Sequence, residues 1–143
     1  MKALIGVACA LFLSSSFAEE GLIIADGFGA SDLTKVPLEQ QAKMMARRAA
    51  QVDAQRNLAE QIKGLRLTGG TTMEDFEVSS DIVATRVKGV LRGAFELSST
   101  TTKDGDAIVV EVKMAICANG FHEKCKNRPN LEDAMALAST VKQ

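Results

Sequence analysis

The chain has 143 residues with 17 Lys and Arg against 18 Asp and Glu, one His, and neither Trp nor Tyr. A net charge of −1 with no long run of either sign lacks the basic footprint of a nucleic-acid-binding protein. The single His and the missing Trp and Tyr also remove most acid–base sets and most stacking surfaces, so the composition argues against an enzyme.

Residues 1–18 read as a secretory signal peptide. Met1-Lys2 precedes an apolar block from Ala3 to Leu13, and a small, polar stretch ends at Ser16-Phe17-Ala18. The block is shorter than the ~20 apolar residues a membrane-spanning helix needs. Cleavage after Ala18 would start the mature chain at Glu19, place it in the periplasm and leave 125 of the 143 residues, enough for one domain. Cys9 is a poor acylation site, because Gly6 stands where a Leu is usual and few apolar residues precede it. No second hydrophobic segment follows, so membrane association is expected only through a lipid or a partner.

Leu22–Ala25 predicts a short first strand ended by a glycine-rich loop, Asp26-Gly27-Phe28-Gly29. Gly27 and Gly29 make an incomplete dinucleotide fingerprint: Asp32 occupies the place of the third glycine, and the helix begins too late. From Leu38 to Gly64, the spacing of Ala42, Met45, Ala49, Val52, Ala59 and Ile62 predicts the buried face of a helix about seven turns long. Pro37 suits its first turn, Glu39 suits the positive end of its dipole, and Gly64 is expected to end it in a left-handed conformation. Arg47, Arg48, Gln51 and Gln55 form its polar side, either solvated or facing a partner.

Leu65–Thr68 and Thr71–Val78, separated by Gly69-Gly70, predict an interrupted strand. Ser80 and Asp81 would cap a short helix through Ile82, Val83, Arg86 and Val87. Leu91, Gly93, Phe95 and Leu97 then alternate with Arg92, Ala94, Glu96 and Ser98 as a half-buried strand. Asp104-Gly105 signals a hairpin turn, and the returning strand points Val110, Val112, Met114 and Ile116 inward, with Glu111 and Lys113 outward. Asn130 caps a final helix whose apolar stripe is Leu131, Ala134, Met135, Ala138 and Val141. The order predicts a single α+β domain, with one long helix and shorter helices packed on a largely antiparallel sheet.

Cys117 and Cys125 are the two cysteines beyond the signal. In an oxidising compartment a disulfide is the default, and closing this loop should contribute roughly 2–3 kcal/mol. With His122 they spell Cys-x4-His-x2-Cys, three possible zinc or copper ligands, but no fourth is evident and oxidation competes for the thiols. The acidic groups Glu74, Asp75, Glu77 and Asp104, Asp106 lack calcium-loop spacing. No nucleophile–base set assembles, and neither a metal nor another cofactor is expected.

The text Ala46-Arg-Arg-Ala-Ala-Gln-Val-Asp-Ala-Gln-Arg-Asn-Leu-Ala-Glu-Gln-Ile-Lys-Gly64, with Ala25–Gly29 and Val87-Lys-Gly-Val-Leu-Arg-Gly-Ala94, resembles the Lpp-twenty family of small bacterial envelope lipoproteins over residues 22–116. The family pairs a helix of the pattern AA-x-x-DA-x-R-x-LA-x-x-I-x-G with a V-x-G-x-x-x-G-A strand and a closing hairpin. It includes flagellar proteins of rings or disks at the outer membrane. The resemblance implies a non-enzymatic envelope protein that forms homo-oligomers and meets flagellar basal-body or outer-membrane partners. It divides the chain into the signal (1–18), the α+β domain (19–116), and a cystine loop with a C-terminal helix (117–143) that extends past the match. The alternative expectation is a periplasmic module that binds a small ligand or a partner unrelated to flagella.

Overall fold

A computed structural model describes residues 20–64 and 81–140. The signal segment with Cys9 and Ala18, the strand expected over residues 65–78 with Glu74, Asp75 and Glu77, and the cap at Ser80 lie outside the described residues. Those described form an α+β unit. Strand β1 (Leu22–Asp32) leads to α1 (Glu39–Lys63), α2 (Asp81–Arg92), the hairpin strands β2 (Phe95–Asp104) and β3 (Ala107–Cys117), and α3 (Leu131–Thr140). The antiparallel sheet has the order β1-β3-β2, so the returning hairpin strand is central.

Alternation along β3 places Ile108, Val110, Val112, Met114 and Ile116 on the face covered by helices. Each fully buried aliphatic side chain of this kind stabilises the fold by about 1.5–3 kcal/mol. Val87 and Val90 of α2 and Leu131 and Ala134 of α3 join the same core, so all three helices share one face of the sheet. At the end of the other face lies a smaller cluster: Leu22, Ala115, Cys117 and Cys125, with Phe95 and Leu97 against it.

Five expectations are corrected. β1 does not stop at Ala25 but runs through Gly27 and Gly29 to Asp32, pairing with β3 throughout. The glycines serve close packing. A β-carbon built on Gly27 would come within 2.7 Å of the Ala54 Cβ, and one on Gly29 within 2.9 Å of the Ala49 Cβ, with α1 backbone atoms nearer still. No loop remains there to hold a phosphate.

The buried row of α1 is Ala42, Ala46, Ala50, Ala54, Leu58 and Ile62, which shares only Ala42 and Ile62 with the expected stripe. Spacing by four brings small side chains over the glycines of β1. Met45 and Val52 instead point outward, 50% and 58% exposed. The helix begins at Glu39, with Leu38 in extended conformation before it, so Pro37 precedes the first turn. At the far end Gly64 keeps a right-handed φ of −76°, and its N–H donates to the Glu60 carbonyl.

Leu91 and Gly93 also fall outside the strand predicted for them, because α2 continues to Arg92 and β2 starts at Phe95. The hairpin agrees with expectation. Gly105, at φ +56°, opens a two-residue turn in which only the first residue is left-handed, the requirement of a type II′ connection. Asn130 caps α3 as expected, its Oδ1 accepting the Asp133 N–H at 2.8 Å.

Candidate functional site

An open groove of about 1160 Å³ lies between Phe28 on β1 and the outward side of α1. It exists because the two faces of α1 obey different spacings. Alanines every fourth residue seat one face on the sheet, while Leu38, Met45 and Val52 recur every seventh residue on the other. Phe28, Leu38, Met44, Met45 and Val52 are each at least half exposed. Five large apolar side chains in one patch exceed the scattered exposure that a protein surface normally carries.

Two of the charges that line the groove are paired with one another. Arg56 Nη2 lies 2.6 Å from Asp53 Oδ1, and the other oxygen of Asp53 accepts the Phe28 N–H at 3.1 Å. That bond ties Phe28 to the helix and positions one groove wall. Two further α1 side chains bond to the same strand, Asn57 to the Asp26 carbonyl at 2.8 Å and Gln61 to the Ile24 carbonyl at 3.2 Å. Together, three residues spaced by four close much of the outer backbone edge of β1.

The expected polar side of α1 divides in two. Arg47 and Gln51 both bond to Glu96, at 2.7 and 3.1 Å, where a bulge between Glu96 and Ser98 interrupts the β2 register. Arg48 lines the groove and forms no ion pair among the described residues. Glu39, at the start of α1, binds Lys43 at 2.7 Å and Lys103 of β2 at 3.5 Å. The hydrogen bond and charge of Lys43, then those of Lys103, hold its carboxyl below its ordinary value.

Cys117 and Cys125 are bonded to one another, with Cα atoms 5.7 Å apart, and both are buried. The cystine covers one end of the sheet, where Arg128 stacks over the Phe95 ring at 4.4 Å. His122 Nδ1 accepts the Lys124 N–H and so caps the 3-10 turn Glu123–Cys125. Its neighbouring sulfurs are therefore committed to one another. On the open face Lys113 pairs with Asp26 at 3.0 Å; this bond and the Asp26 charge raise the lysine above its ordinary value.

Asp104 and Asp106 share a shallow depression with Asp32. Among the described residues no group of three or more His, Cys, Asp or Glu is arranged to hold a metal ion. No described helix is long and apolar enough to cross a membrane.

Sequence reading missed the groove because it assigned Met45 and Val52 to the core. The available signal was the four-residue alanine row set against two glycines two apart in a strand. That pairing identifies the face that can approach a sheet most closely, and thereby leaves the larger side chains for the surface. No family model, curated protein or solved structure matches the chain.

Proposed function

We propose that this chain is an exported, non-enzymatic envelope protein that self-assembles, acting at the outer membrane as part of a ring or disk around the flagellar basal body. The observation that carries the assembly half is the exposed apolar face of α1 with Phe28 beside it. Water contact with five large apolar side chains is costly, and contact with another protein surface removes that cost. Export is read from the composition of residues 1–18, and the flagellar setting from the resemblance of the α1 text to the Lpp-twenty family. The chemistry of the groove fits this role: aliphatic, thioether and aromatic side chains line it beside Gln40, Gln41 and Arg48, and its one acid is bonded to Arg56 and Phe28.

The test is a strain lacking the gene, assayed for swimming in soft agar with filaments counted by electron microscopy and a complemented strain beside it. The expected result is lost swimming with filaments still present, the pattern of a motor-associated ring. Normal swimming with normal filaments would remove the flagellar half of the reading. The assembly half would then rest on the behaviour of the isolated protein.

A further inference from the structure

The outward side of α1 carries an internal symmetry. Leu38, Met45 and Val52 are 64%, 50% and 58% exposed; Met45 and Val52 stand two turns apart on α1, and Leu38, the residue that caps the start of the helix, stands seven residues before Met45. Three positions at one interval are symmetric about the middle one, so an antiparallel copy can present the same row in reverse. A patch that complements itself in this way is what a two-fold interface requires.

Resting on the self-assembly reading above, we propose that two copies pack their α1 helices antiparallel about a two-fold axis at Met45, each Leu38 entering the groove between Phe28 and Val52 of the other copy. The two Met45 side chains meet on the axis. Methionine suits that place, since its flexible thioether adapts to a neighbour identical to itself. Phe28 is already held beside α1 by Asp53 and closes over the incoming leucine.

The charges agree with this register. Reflection through position 45 brings Arg48 opposite position 42, next to the neutral Gln41 of the second copy, whose amide oxygen accepts from a guanidinium. The two arginines stay on opposite sides of the axis. Moving the axis to Arg48 would set the two guanidiniums against one another, a like-charge arrangement that Met45 avoids. Asp53 and Arg56 remain paired within each copy at 2.6 Å.

Backbone chemistry argues against strand addition on the same side of the molecule. Asp53, Asn57 and Gln61 already occupy outer polar groups of β1, so mating here proceeds through side chains. Five large apolar residues per copy are far fewer than the roughly 20–30 residues a side of a standard interface. The pairing is accordingly reversible and depends on concentration.

The experiment uses the protein expressed with its own leader and purified after export. Met45→Cys is oxidised mildly, and the 45–45 linkage is identified by mass spectrometry, with Gln55→Cys as an off-axis control. Met45→Glu, Thr101→Glu on the exposed strand β2 and the unaltered protein are compared by sedimentation across a wide concentration range, with melting curves to check folding. Expected are a covalent dimer through position 45 alone and self-association weakened by about tenfold or more in Met45→Glu, but not in Thr101→Glu. Association that survives Met45→Glu, with no 45–45 linkage, would overturn this contact and leave self-assembly standing. An unaltered protein that stays monomeric throughout would overturn both.

Discussion

Gly29 lies so close beneath α1 that a β-carbon built on it would stand 2.5 Å from the backbone nitrogen of Ala50. The obstructing atoms belong to helix backbone, which cannot swing aside as a side chain can. Gly29→Ala is therefore expected to destabilise the protein by about 3 kcal/mol or more. Gly89 in α2 is the contrast, since a β-carbon there meets nothing within 4 Å. Gly89→Ala should stabilise by about 0.5–1 kcal/mol through helix propensity. Urea denaturation of both variants checks the pair, and equal losses at the two positions would contradict close packing of β1 on α1.

Reduction of the Cys117–Cys125 bond frees a short loop joined to the end of β3. Loop-closure entropy gives a loss of roughly 2–3 kcal/mol. Melting with and without reductant measures it, and the double alanine variant should resemble the reduced protein. An unchanged melting temperature under reductant, with both thiols shown to be free, would contradict a structural role for the cystine.

Asp32 Oδ1 accepts from the Thr34 hydroxyl at 2.7 Å and the Thr34 N–H at 2.8 Å, and these bonds hold its carboxyl below its ordinary value. Because the folded value lies below the unfolded one, the contribution is complete above the unfolded pKa and is lost as pH falls through the folded one. Stability should therefore decline between about pH 5 and pH 2, with Glu39 adding in the same direction. Asp32→Asn should be slightly less stable than the unaltered protein at neutral pH and converge with it in acid. Melting curves that stay parallel across this range would exclude the carboxylate as a source of the slope.

Closure of the β1 edge by Asp53, Asn57 and Gln61 predicts a separation of stability from solubility. The three bonds are exposed, so water replaces them at modest cost, about 1 kcal/mol or less each. The opened edge would then offer unpaired groups to another strand. The triple alanine variant should melt a few degrees lower yet scatter much more light on heating. Scattering indistinguishable from the unaltered protein would show that the edge needs no protection.

What the sequence made legible followed from local physics. The alternation Val110, Val112, Met114, Ile116 and the Asp104-Gly105 signal identified the hairpin, because a strand with one buried face and a glycine-dependent turn carry their pattern in a few residues. Asn130 and the cysteine pair were readable for the same reason. The face of α1 was not, since hydrophobicity alone ranks Met45 and Val52 above Ala46 and Ala50. Alanine won the interior only because Gly27 and Gly29 bring the strand too near for a larger side chain, and that fact depends on two segments at once. The groove inherited the same error. Met45 and Val52 were assigned to the wrong side of the helix, and Phe28 to a loop.

The most direct test of self-assembly is sedimentation velocity of the exported protein from low micromolar to near-millimolar concentration. A weight-average mass that climbs with concentration, and falls back to the monomer in Met45→Glu, is the predicted result. A single monomeric boundary at every concentration would contradict it.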